Sequence, residues 1–393
     1  MPMRPLLALA AFALLPAMTE AQKAPALPAG WAAVHDFFQQ SVKDEGVVGA
    51  GLALIHRDTV LAHDSWGDAD RDPRRAVDQN TIWHWASITK TFTGIAIMQL
   101  RDRGKLSLDD PIVKYVPELR MVHDSFGPID NITIRQLMSH SAGFRNPTWI
   151  WGGDQPWHPF EPTEWSQLVA MFPYTEILFK PGSKYSYSNP GVIFLGQVIE
   201  RLSGDDIEVY IDKNILKPLG MTRSYFDLTP YHLLKDRSNS WSTDNGRATA
   251  LGLDFDTGIT TANGGLNSPI TDMAKYLAFL SGGKASNDQP PVLSRQSLEE
   301  MWTSILPVEE KDGIKERIGL SFFEWTRGSK RLIGHTGSQR GFRAFFYVDP
   351  VSGYGVIGVI NTAPADEDAA NAHPAVEKIW AGVRSRIFDS LLK

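Results

Sequence analysis

Hydrophobic positions along this chain change their period in its middle third. Near the N-terminus Val34, Phe37, Phe38 and Val42 recur at helical spacing and predict a helix over Trp31 to Lys43. Two runs of strand character follow, Val47 to His56 and Thr59 to Trp66, with Arg57-Asp58 between them as a hairpin turn. Ser87 to Arg103 predicts a second helix, closed by Gly104, with Phe92, Ile95, Ala96 and Gln99 down one side. From 105 to 250 the patterns are mostly helical and are broken by loops rich in Pro, Gly and Trp. Strand periodicity then returns. Ile318 to Trp325, Arg331 to His335, Phe342 to Val348 and Gly355 to Asn361 predict successive antiparallel strands, with Asp349-Pro350-Val351-Ser352-Gly353 turning between the last two. Val376 to Leu392 predicts a terminal helix. The expected fold class is α+β. Residues of about 30–90 and 255–393 share one antiparallel sheet flanked by helices, and an all-helical domain of about 91–254 is inserted between them.

The first residues predict an address. Met1 to Arg4 is weakly positive, Leu6 to Leu15 is apolar without a charge, and Thr19 and Ala21 place small residues where a signal peptidase reads. The expectation is a signal peptide over 1–21, cleaved after Ala21, and a protein that is periplasmic or secreted. The apolar run is about half the ~20 residues a membrane span needs, so no transmembrane anchor is expected after cleavage. Residues 22–29, with Pro25 and Pro28, then read as a linker.

Composition removes several function classes. With 39 Lys and Arg against 45 Asp and Glu, net charge is −6 and no basic tract exists, which excludes a nucleic-acid partner. The absence of cysteine excludes disulfides, a thiol nucleophile, lipoprotein attachment and cysteine metal sites. Ten histidines include no His-Glu-x-x-His, so no metal and no cofactor is expected. The expected partner is a small-molecule or peptide substrate.

Three short motifs carry chemistry: Ser87-Ile88-Thr89-Lys90, Tyr187-Ser188-Asn189 and His335-Thr336-Gly337. On a helix, Lys90 lies one turn beyond Ser87 and reaches its hydroxyl. A serine hydroxyl becomes a nucleophile when a base takes its proton, and a lysine serves once burial lowers its pKa. Ser87 at a helix start also offers a backbone N–H as half of an oxyanion hole. Its bland alternative is a plain N-cap beside a solvated lysine. Tyr187 can relay a proton, and Asn189 can bind a substrate carbonyl or fix Lys90; Asn189-Pro190 also reads as an N-cap followed by proline, for a helix reaching Leu202 with Gly204 past its end. Gly337 permits close approach, and the N–H of Ser338 supplies the other oxyanion donor. A second Ser-x-x-Lys, Ser281-Gly282-Gly283-Lys284, reads as a loop because of its glycines. His140 reads as a structural polar residue beside the cleft. Trp149, Trp151, Trp157 and Trp165 read either as loop packing or as an aromatic wall over the substrate.

Taken in order, these motifs resemble the serine β-lactamase and DD-peptidase family, in its branch of class C β-lactamases, D-alanyl-D-alanine carboxypeptidases, D-aminopeptidases and esterases. The similarity includes Gly104-Lys105-Leu106-Ser107-Leu108-Asp109-Asp110-Pro111, Leu137-Met138-Ser139-His140-Ser141-Ala142-Gly143, Pro218-Leu219-Gly220-Met221, Gly264-Gly265-Leu266 and Gly334-His335-Thr336-Gly337. It implies a β-lactamase/transpeptidase-like fold with the active site between its two parts. It implies Ser87, Lys90 and Tyr187 as catalytic residues and Asn189, His335, Thr336, Gly337 and Ser338 as substrate-binding. The implied reaction is hydrolysis through a Ser87 acyl-enzyme, on D-peptides, β-lactams, D-aminoacyl amides or esters. His335 stands where class C β-lactamases usually carry Lys; the histidine form is similar to that of some DD-carboxypeptidases and D-aminopeptidases, which counts against efficient β-lactamase activity. The rival from another class is a non-hydrolytic penicillin-binding or cell-wall-binding protein.

Overall fold

The computed structural model describes residues 26–148, 162–244, 246–282, 292–364 and 374–392. The leader, the start of the linker, Trp149, Trp151, Trp157 and Gly283-Lys284 lie outside them.

Helix α1 (Trp31–Asp44) buries Trp31, Val34, Phe38 and Val42, the stripe its spacing predicts. Strands β1 (Gly49–His56), β2 (Thr59–Arg71) and β3 (Arg74–Ala76) then form one edge of a nine-stranded antiparallel sheet. Beyond β1 the order continues through Tyr354–Ile360, Phe342–Val348, Lys330–Gln339, Phe323–Arg327, Ile314–Ile318 and Leu306–Lys311. The two chain ends meet where Ala50 pairs with Ile360 and His56 with Tyr354. Almost every residue of β1 is buried because both faces of the sheet are covered. Ala50, Leu52 and Leu54 pack with α1 and with the C-terminal residues Ile379, Val383 and Phe388. Ala53 and Ile55 lie on the other face, which the helix Ile270–Ser281 covers.

The sequence expectation differs from this structure in three places. The sheet gains Leu306–Lys311 and Ile314–Ile318, which the pattern did not predict. Ile318 to Trp325 is two strands rather than one, because the chain crosses between them: Leu320 N–H bonds to Met301 and Ser321 N–H to Met138. The inserted part is mostly helical but also carries the strands Tyr225–Phe226, Ser240–Asp244 and Arg247–Gly252. They are two, five and six residues long, too short to show a clear period. Among the described residues no helix is long and apolar enough to cross a membrane.

Strand β4 (Ile82–His84) leads to the functional region. It pairs with Leu266–Pro269, passes through a 3₁₀ turn at Ala86–Ile88 and enters helix α2 (Thr89–Asp102). Every residue of α2 from Thr89 to Leu100 is buried, so it is a central helix rather than a surface one.

Candidate active site

Ser87 sits in the 3₁₀ turn ahead of α2, not in the α-helix itself. From Thr81 to Leu100 it is the one residue with partial exposure; every neighbour is buried. Ala86 before it has φ of +46°, a left-handed value that costs free energy outside glycine and is retained where surroundings impose it. The turn therefore lifts one hydroxyl out of an otherwise closed segment.

Lys90 is fully buried, and its Nζ lies 3.0 Å from Ser87 Oγ while donating to the Asn263 carbonyl at 2.9 Å. Burial drives its pKa well below the usual lysine value. A neutral amine has two N–H groups and a lone pair. With one N–H on Asn263, the lone pair is available to the Ser87 hydroxyl. Nζ also lies 4.9 Å from the centroid of the Tyr187 ring.

Tyr187 is pushed the opposite way. Burial raises its phenol pKa, and a hydrogen bond with Ser87 offsets part of the rise. It therefore carries its proton at neutral pH and is a donor rather than a phenolate base. His140 holds it in place: the imidazole stacks on Tyr187 at 4.4 Å, its Nδ1 accepts the Ser188 N–H at 3.2 Å, and its carbonyl accepts the Ser186 N–H. Burial drives the His140 pKa well below the usual imidazole value and keeps the ring neutral. The expectation of a structural role for His140 agrees with this clamp.

Asn189 opens the helix Asn189–Ser203, but Ser188 is its N-cap, through a side-chain bond from the Gly191 N–H. This corrects the expected cap and leaves the Asn189 carboxamide for other partners. Its Nδ2 donates to Asn146 at 3.3 Å, and its Oδ1 accepts from Asn263 Nδ2 at 3.1 Å. Asn189 thus connects to Lys90 through Asn263. Gly204, in the left-handed region at φ +77°, ends the helix as expected.

The strand Lys330–Gln339 brings the third motif. A Cβ on Gly337 would lie 2.2 Å from the Trp85 carbonyl and 3.4 Å from Ala86 Cβ, so only glycine allows the strand to abut the Ser87 turn. Beyond Gly334 this strand pairs with Phe342–Val348 alone, which leaves its other edge facing the site. Antiparallel bonding alternates, and counting from the two-residue turn at Arg340–Gly341 directs the Ser338 N–H to that open edge. Thr336 pairs with Phe345 and borders a cavity of about 740 Å³ behind the sheet, with Trp325 and Trp380. Its side chain is not brought to the Ser87 side.

His335 departs from what an exposed imidazole would do. It is 2% exposed, packs edge-on to Phe323 at 5.1 Å, and its Nδ1 meets the Thr336 carbonyl at 2.5 Å. Since a carbonyl only accepts, the proton is on Nδ1. Burial is the largest cause that lowers its pKa to about 3. An imidazole with the unperturbed pKa of about 6.5 would charge just below neutrality, whereas His335 is neutral across the working range.

Ser87, Lys90, Tyr187, His335 and Gly337 are brought together, with Asn189 one carboxamide further out. Sequence reasoning missed Asn263, although it directly precedes the quoted Gly264-Gly265-Leu266, and missed Asn146 altogether. Ser281 lies elsewhere, buried at the end of a helix that Gly282 closes. Among the described residues no group of three or more His, Asp or Glu is placed to hold a metal.

Known proteins share this fold. Protein flp of Staphylococcus aureus (strain COL) is 24% identical over 328 residues, 84% of this chain and 62% of that protein, so the chain spans about three-fifths of the relative's length. The octameric penicillin-binding protein homologue from Pyrococcus abyssi superposes with a TM-score of 0.73 at 27% identity, covering 90% of this chain and 77% of that one. D-amino acid amidase from Ochrobactrum anthropi SV3 superposes at 0.72 with 20% identity, covering 92% and 99%. The Beta-lactamase family model matches residues 34–379, and the chain accordingly belongs to the Beta-lactamase family.

Proposed function

We propose that the protein hydrolyses an amide, peptide or ester bond by acyl transfer through Ser87, and that its substrate needs no carboxylate. One observation carries the mechanism: a fully buried Lys90 whose Nζ is 3.0 Å from Ser87 Oγ. Neutral Lys90 takes the hydroxyl proton as Ser87 attacks the carbonyl carbon. The N–H groups of Ser87 and Ser338 hold the oxyanion. Tyr187, protonated and bonded to Ser87, passes its proton to the leaving group and takes back the one Lys90 received from Ser87, so both groups are restored before water attacks. Water then attacks the acyl-enzyme by the same route in reverse and releases the acid. A non-covalent binding protein has no use for a base at this distance, and one that acylates and stalls is separated from a hydrolase by steady turnover of an ester.

His335 supports the choice of substrate. β-Lactams and D-alanyl-D-alanine termini carry a carboxylate, and a neutral imidazole gives it no cation. Amides and simple esters place no such demand, and one structural relative is a D-amino acid amidase, described in complex with L-phenylalanine amide. The DD-carboxypeptidase or β-lactamase-like reading stands second. A panel of a neutral ester, an amino acid amide, a D-alanyl-D-alanine peptide and a β-lactam, with wild type and Ser87→Ala, tests the proposal. Turnover of the first two, abolished by Ser87→Ala, is the expected result; faster turnover of the carboxylate substrates contradicts the substrate assignment.

Export is part of the proposal and rests on the leader-like pattern of residues 1–21. N-terminal sequencing of protein from a Gram-negative periplasm should begin at Gln22; an intact Met1 overturns it.

A further inference from the structure

His84 ends β4, three residues before Ser87, and Gln339 directly follows Ser338. Neither belongs to the motifs above. His84 is buried, and both ring nitrogens meet carboxamides: Nδ1 lies 3.0 Å from Asn267 Oδ1, and Nε2 lies 2.9 Å from the Gln339 carboxamide. Asn267 is oriented by its own Nδ2, which donates to the carbonyls of Asp227 and Gly265. Its oxygen therefore faces His84, and Nδ1 carries the ring proton. Burial, then Arg237, keeps the ring neutral with a pKa of about 4, so Nε2 is a bare acceptor. The Gln339 atom at 2.9 Å is Oε1, and two acceptors cannot bond, so the amide is assigned the opposite orientation, which is sterically equivalent and turns its N–H to Nε2. Phe255 packs edge-on against the imidazole at 4.8 Å, and Phe342 lies at 6.0 Å.

We propose that His84 and Gln339 form a positioning pair whose hydrogen bond ties the segment leading into Ser87 to the strand end carrying Ser338, and so fixes the gap that receives the substrate's carbonyl oxygen. This inference rests on the acyl-enzyme reading and deepens it. Gly337 sets the approach of the two segments by backbone contact with Trp85. Ser338 lies beyond that contact, on a strand end with one neighbour, beside a turn where Arg340 has φ of +48°. The Gln339 bond supplies a second attachment just past the donor. The same side chain abuts Gly264, where a Cβ would lie 2.8 Å from its carboxamide. One carboxamide thus touches the segments that deliver Ser87, Ser338 and the Asn263 carbonyl.

Gln339→Leu and His84→Phe each remove the bond and keep most of the volume. Loss of a whole oxyanion donor costs about 10²–10³ in kcat, so a loosened gap should cost about 10-fold, with KM changed less than about twofold. Because both variants break one bond, the double variant should be no slower than the slower single one. Gln339 is half-buried at a hairpin end, so Gln339→Leu decides the matter should His84→Phe fail to fold. Fluorophosphonate labelling of wild-type Ser87 separates this inference from the reading beneath it. Labelled Ser87 with unchanged kcat in Gln339→Leu, a change in KM alone, or losses that multiply overturns the positioning pair. An unlabelled Ser87 overturns the acyl-enzyme reading itself.

Discussion

Lys90→Met should slow the enzyme and stabilise it at the same time. Methionine fills a similar volume without an ionisable group, so the substitution isolates the amine. On the catalytic side it removes the base 3.0 Å from Ser87 Oγ. General acid–base catalysis contributes about 10²–10⁴, so kcat should fall by at least ~10²-fold, or about 2.7 kcal/mol at ~1.36 kcal/mol per decade. On the stability side, burial depresses the folded-state pKa below the unfolded value, and each unit of depression costs about 1.36 kcal/mol while the unfolded chain is protonated. Between the depressed folded pKa and 10.5 the unfolded state binds the extra proton, so wild-type stability rises with pH. Lys90→Met lacks this slope. Its advantage should therefore be largest at the acidic end of that window and shrink as pH rises towards 10.5. Urea unfolding at several pH values, alongside kcat for a neutral ester, measures both. A variant that keeps more than a tenth of wild-type kcat, or that is less stable at neutral pH, would refute the assignment of Lys90 as a buried neutral base.

Tyr187→Phe should lower kcat at least ~10²-fold, and combining it with Lys90→Met should add little, because the two move one proton; multiplying losses in steady-state kinetics would show independent action. Since burial raises the Tyr187 pKa, its ionisation should not limit the rate as pH rises through 10, which a pH–rate profile reports. Gly337→Ala should abolish measurable turnover and lower thermal stability, because its Cβ would fall 2.2 Å from a backbone carbonyl that cannot yield; wild-type kinetics in this variant would mean that the strand does not press on the Ser87 turn. With His335 near pKa 3, the ratio of carboxylate-substrate to neutral-ester kcat/KM should stay flat from pH 5 to 8, and a ratio that falls with an apparent pKa near 6.5 would show a solvated, charging imidazole.

What was legible in the sequence was whatever a short segment decides alone. The strand Phe342–Val348 and helix α1 follow from apolar spacing, and Ser87 with Lys90 follows from a one-turn separation. The strands Leu306–Lys311 and Ile314–Ile318 were hidden because both are dense in Glu, Lys and Arg, the first as the edge strand of the sheet and the second as its neighbour. In Ser188-Asn189-Pro190 two good caps stand side by side, and only the bond from the Gly191 N–H to Ser188 separates them. His335 reads as an ordinary imidazole until Phe323, Tyr187 and Lys90, distant in sequence, close around it. Asn263 and His84 act through contacts 173 and 255 residues away, and isolated carboxamides and imidazoles carry no local signature.

The central claim is a covalent intermediate on Ser87, and trapping it is the most direct test. Wild-type protein quenched in acid during turnover of a neutral ester should show, by intact-protein mass spectrometry, an added mass equal to the acyl group, and peptide mapping should place it on Ser87. The Ser87→Ala variant should show neither adduct nor turnover. An adduct on Ser281 or any other residue, or undiminished turnover by Ser87→Ala, would contradict the account.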